Sequence, residues 1–90
     1  MDNTTMISMK KQLNVTDLSG EKVMIDFETG KYFMVKGTGN DIWDLIQKKI
    51  TIQEIVDKLT SEYDVSVEVC TEEVMKFLDE LRKYDIIQEE

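Results

Sequence analysis

The order of hydrophobic patterns along this chain predicts an α+β domain, a three-stranded antiparallel sheet followed by three helices. Residues 12–36 alternate apolar and polar with the period-two rhythm of strands, broken at Ser19-Gly20 and Thr29-Gly30. Gly37-Thr38-Gly39 ends that rhythm, and the apolar residues beyond it recur at helical spacing. With 90 residues, no proline and no linker-like stretch, the chain has room for one core and one domain.

Residues 1–10 are polar, with Met1, Met6, Ile7 and Met9 in no period. They are expected to form a flexible tail ahead of a domain spanning 11–90. The first strand falls between Gln12 and Leu18, where Leu13 and Val15 alternate with polar residues. The second runs Glu21–Glu28, with Val23, Ile25 and Phe27 on one face and Lys22, Met24, Asp26 and Glu28 on the other. Gly30 supplies the positive φ for a turn into the third strand, Lys31–Lys36. There Phe33 and Val35 oppose Tyr32 and Met34. One of these pairs must lie off the main core, either under the N-terminal tail or as an exposed patch.

Thr38 is a suitable N-cap for the first helix, with Asp41 three residues on. Ile42, Leu45, Ile46 and Lys49 form its stripe, Trp43 plugs the core beside it, and Lys48 and Lys49 suit the negative end of its dipole. Thr51 and Glu54 form a capping pair opening a second helix, whose inner face carries Ile52, Ile55, Val56, Leu59 and Tyr63. Ser66 caps a third, in which Cys70, Val74, Phe77, Leu78 and Leu81 share a face. Ile86-Ile87 is an apolar end piece. A sheet of three strands leaves at least one edge open.

Composition narrows the chemistry. The chain contains no histidine and one cysteine, so Cys-His pairs, Ser-His-Asp triads and His/Cys zinc sites are excluded. No acidic cluster has the spacing of a calcium loop, and Thr38-Gly39 belongs to neither a GxGxxG nor a Walker pattern. No catalytic residue, metal or cofactor is therefore expected, and the chain reads as a binding module, not an enzyme. A lone Cys70 allows no internal disulfide and fits a reducing compartment. There is no apolar run of the ~20 residues needed to cross a bilayer, and no basic start followed by an apolar block. A cytoplasmic protein without membrane contact is the expectation. The formal charge of −8 repels nucleic acid and favours basic or neutral partners, and the second helix offers Lys58 as its one basic residue.

An open strand edge can accept a peptide as an added strand, with main-chain bonds giving affinity and pockets for alternate side chains giving specificity. The last helix supplies the other wall of such a groove. Met75, Leu78 and Arg82 lie on one flank of its apolar stripe, and Glu73, Glu80 and Tyr84 on the other. The sequence leaves open which flank meets the strand.

Asp26-Phe27-Glu28-Thr29-Gly30-Lys31-Tyr32-Phe33, then Val35, Thr38-Gly39 and Ile42-Trp43, resembles the core motif of the PqqD-like family. The likeness continues through the Thr51–Leu59 helix and the Phe77-Leu78…Leu81 pattern, covering about residues 12–88. Two positions depart from the family pattern. Lys36 stands where asparagine is usual, and Asp85 where glycine usually follows the last helix.

The resemblance implies a winged helix-turn-helix-like fold that binds the leader segment of a ribosomally made precursor peptide instead of DNA. The leader would dock on the third strand, at Lys31, Tyr32, Phe33, Met34 and Val35, against Val74, Phe77, Leu78 and Leu81 of the last helix. Phe33, Val35 and much of the helix set would hold the groove's floor. The implied partners are the precursor leader and a processing enzyme. The style of the motif is closest to the small leader-binding proteins of lasso-peptide pathways, whose partner is a leader-removing cysteine protease. The alternatives are delivery to a radical-SAM enzyme, as in pyrroloquinoline quinone assembly, or a generic interaction and assembly module. The expected state is a monomer or weak homodimer.

Overall fold

The computed structural model describes residues 2–90. Its elements run β1 (Met6–Met9), β2 (Asn14–Leu18), β3 (Glu21–Asp26), β4 (Lys31–Lys36), α1 (Thr38–Leu45), β5 (Ile50–Thr51), α2 (Ile52–Glu62), α3 (Val67–Lys83) and β6 (Ile87–Glu89). The expected α+β class holds: β2, β3 and β4 form an antiparallel sheet in that order, and three helices follow. Met24 of β3 stands opposite Val15 on β2 at one side and Phe33 on β4 at the other.

A second small sheet, in the order β5-β1-β6, was not expected. The segment read as a flexible tail supplies its central strand: β1 pairs antiparallel with both neighbours, and Ile7 is fully buried. Residues just ahead of β1 cap α2, whose Ile52 and Gln53 amides donate to the Thr5 and Asn3 carbonyls. A lone isoleucine among methionines carries too short a pattern to announce a strand. Its partners lie about half the chain away and at the far end.

The sheet β2-β3-β4 also turns the other way from what its apolar pattern suggests. Met24 and Asp26 face the core, with Val35 buried and Phe33 half-buried on the same side. Val23, Ile25, Tyr32 and Met34 lie on the opposite face, and Tyr32 and Met34 are 71% and 60% exposed. They form an exposed patch, not a packing surface for the N-terminal segment, because that segment is engaged in the other sheet.

The inward carboxylate of Asp26 is tolerated because every demand of burial is met. One oxygen accepts from Lys11 Nζ at 2.7 Å, and the other accepts from the Glu28 amide at 3.0 Å. The Asp26 carbonyl accepts from the Gly30 amide at 2.8 Å. This local turn ends β3 at Asp26, two residues short of the expected Glu28, and leaves Phe27 outside. Lys11 holds the Asp26 carboxyl below the ordinary carboxylate range, and the same pairing raises the Lys11 ammonium.

The helices pack Ile42, Trp43, Ile55, Val56, Leu59, Val74 and Leu78 into one core with Ile7 and Ile86. Thr51 and Glu54 form the expected capping box, and the Ser66 hydroxyl accepts from the Val69 amide. The first helix differs. Its N-cap is Gly37 at φ 63°, Thr38 is already helical, and no side chain caps it. It stops at Leu45, so Lys48 and Lys49 lie beyond its last turn. At the end of α3 Asp85 adopts φ 63°, the left-handed conformation that glycine usually supplies. The Ile86 amide bonds to the Leu81 carbonyl and the Asp85 amide to that of Arg82, a complete Schellman closure. Aspartate is among the few residues that tolerate this conformation, so the departure from glycine leaves the helix end intact.

Two outcomes follow for stability. Leu78→Ala, at a fully buried position, should destabilise the fold by about 2–5 kcal/mol, whereas Tyr32→Ala should stay within about 0.5 kcal/mol. Urea unfolding followed by the fluorescence of the buried Trp43 measures both. For pH, protonating Asp26 breaks its native pairing, so the unfolded chain binds that proton more readily. The Asp26 contribution is intact above about pH 4 and fades as pH falls through the depressed native value. The raised Lys11 group contributes below about pH 10 and fades above it. Asp26→Asn should therefore lower stability at neutral pH and flatten its dependence on pH below about 4. An unchanged acid limb in thermal melts of the variant would remove Asp26 from this role.

Candidate functional site

β4 is an edge strand: it pairs with β3 on one side, and its other edge lies beside α3. A strand edge presents unpaired N–H and C=O groups at every second residue, so it is a ready template for another extended chain. Between this edge and α3 runs a groove with two open concavities of about 400 Å³ each.

The upper concavity lies where β4 meets α1. Met34, Val35 and Thr38 line one side of it, and Glu73, Lys76 and Phe77 the other. Gly39 forms part of its floor. A Cβ there would stand 2.9 Å from Val35 Cγ1 and 3.4 Å from the Phe77 ring, so the glycine lets strand and both helices approach one another. The lower concavity is walled by Tyr32, Phe33 and Tyr84. Phe33 and Tyr84 pack tilted at 59° with centroids 5.0 Å apart, and the Lys31 ammonium sits 4.6 Å above the Tyr84 ring. Glu80 borders both concavities.

The candidate residues fall in different places. Lys31, Tyr32, Phe33, Met34 and Val35 all lie along the groove. Of the α3 candidates, Phe77 lines it, but Val74, Leu78 and Leu81 are core residues that line neither concavity. The flank that meets β4 is that of Glu73, Glu80 and Tyr84, joined by Lys76 and Phe77. A helix's apolar stripe marks what it buries, so residues beside the stripe form the surface wall. The Met75 flank faces a separate hollow of about 720 Å³ with Val67 and Thr71, whose lining residues all belong to α3.

Cys70 is buried on the inner face of α3, and burial pushes its thiol above the ordinary range, away from the nucleophilic thiolate. Among the described residues, no helix is long and apolar enough to cross a membrane.

Three comparisons bear on this arrangement. No curated protein matches the chain. A solved structure, TbiB1 in complex with the TbiA(beta) leader peptide, superposes with a TM-score of 0.80 at 25% sequence identity. The match covers 90% of this chain and 94% of that one. The family model described as coenzyme PQQ synthesis protein D (PqqD) matches residues 21–87, from the first residue of β3 to the first of β6. With well over half its length inside that match, the chain belongs to the PqqD family.

Proposed function

We propose that this protein is a non-catalytic recognition element for the leader segment of a ribosomally made precursor peptide. The leader joins the β4 edge as an added strand, and its alternate side chains enter the two concavities beside α3. It is then delivered to a partner enzyme at raised effective concentration. The observation that carries this reading is the juxtaposition of an unpaired strand edge with a partly apolar groove along its whole length. The leader-bound relative of similar fold supports the choice of ligand.

In this reading the hairpin and helices are a winged helix-turn-helix turned to peptide binding in the cytoplasm. The favoured partner is a leader protease of the lasso-peptide kind, on the strength of the ETGKYF…TG..IW motif. A radical-SAM enzyme is the alternative that the family description supports. A second reading rests on β2, whose five residues are all exposed along the opposite edge of the sheet. Self-pairing there would make a homodimer. It has less support, because the concavities described above lie beside β4 and α3 and none of their lining residues belongs to β2.

The test is a titration of fluorescently labelled leader from the precursor encoded beside this chain, read by anisotropy with a scrambled leader as control. Saturable binding of the true leader alone is expected. Met34→Asp, at an exposed position, should weaken it about tenfold or more while the melting temperature barely moves. Val15→Asp on β2 should leave affinity unchanged. The reverse pattern would assign docking to the β2 edge.

A further inference from the structure

We infer that the groove selects an acidic leader, with Asp or Glu side chains flanking its apolar anchors. This deepens the proposed leader recognition and rests on it. The lysines that form no ion pair point to this ligand. In a chain of net charge −8, with 19 acidic residues against 11 basic, carboxylates are plentiful and basic groups should find them easily. Lys10, Lys11, Lys22, Lys49, Lys58 and Arg82 do so. The remaining five lysines form no ion pair among the described residues, and their placement is uneven.

Three of these five line the groove. Lys36 and Lys76 line its upper concavity and Lys31 its lower one. Lys83 stands 5.9 Å from the Tyr84 ring but lines neither concavity. Lys48 lies well away from the groove in the chain, in the turn after α1. Two carboxylates share the groove, Glu73 and Glu80, so its lining is not uniformly basic. Three ammonium groups against two carboxylates still give a locally positive strip on a strongly negative protein.

The overall field and the local one therefore favour different ligands. The overall field attracts basic chains to the surface at large, yet a basic strand in the groove would meet three lysines that form no ion pair among the described residues. An acidic strand would pair with them at contact range, where local charges outweigh distant ones screened over about 10 Å of salt solution. Charge at the rim of a peptide site acts mainly on encounter and register, while the apolar concavities retain the bound strand.

The experiment compares the native leader of the precursor encoded beside this chain with a version in which every Asp and Glu is replaced by Asn or Gln. Both are titrated by anisotropy at about 50 and about 500 mM salt. The native leader should bind about tenfold more tightly than its neutralised form at low salt, and lose that advantage at high salt. A Lys36→Glu/Lys76→Glu protein, checked for an unchanged melting temperature, should lose about tenfold for the native leader and little for the neutralised one. Lys48→Glu should bind as the parent does. Single Lys36→Gln and Lys76→Gln proteins, each expected to show part of the loss, serve if the double variant does not fold. Equal affinity for the two leaders, or a native leader without acidic residues that binds tightly, would overturn the charge inference and leave leader recognition standing. Failure of the folded parent to bind any form of the leader would remove both.

Discussion

The geometry of this protein hangs on one close approach, at Gly39. There the first turn of α1 lies against Val35 of β4 and Phe77 of α3, so near Val35 that a Cβ would stand only 2.9 Å from its Cγ1. A strand and two helices meet at that point, which lets β4 and α3 stand close on either side of α1. Wider spacing would leave β4 a bare sheet edge with no wall. Closer packing would close the groove. Gly37, in a left-handed conformation just before it, turns the chain sharply enough for α1 to begin without a side-chain cap. The glycine pair therefore matters for geometry more than for helix stability, and α1 is correspondingly short.

Much of this was legible in the sequence because it rests on short-range rules. Period-two alternation marked β2, β3 and β4, and the Thr51–Glu54 and Ser66 caps fixed the starts of α2 and α3. Less legible was anything decided by partners distant in the chain. Ile7 became the centre of a sheet through contacts with residues 50 and 89, which no local pattern reveals. The orientation of β3 was hidden for a related reason. Asp26 faces inward only because Lys11 reaches it from the preceding connection, so the more apolar Val23–Ile25 side could turn out.

The site divides in the same way. The β4 side of the groove was readable because strand faces alternate, and either face of an edge strand still offers its backbone. On α3 the apolar stripe drew attention to Val74, Leu78 and Leu81, which hold the core. The residues that reach the groove, Glu73, Lys76, Phe77, Glu80 and Tyr84, are mostly charged, and ordinary surface helices carry such residues everywhere. The signal that could have separated them is the crowding of lysines on two elements of an acidic chain. It gains meaning once β4 and α3 are known to be neighbours.

The strand β1 also gives folding an order in time. The β2-β3-β4 sheet is built from contacts between near neighbours and can form early, since little chain must be looped to make them. The other sheet joins residues 7 and 89, so β6 cannot dock until residues 87–89 have left the ribosome. Until then α3 lacks the Ile86 and Ile87 anchor that follows its Schellman turn, and the wall beside β4 is not yet held in place. A nascent chain thus exposes its strand edge before its groove, and is most open to mispairing in the interval before residue 89 emerges.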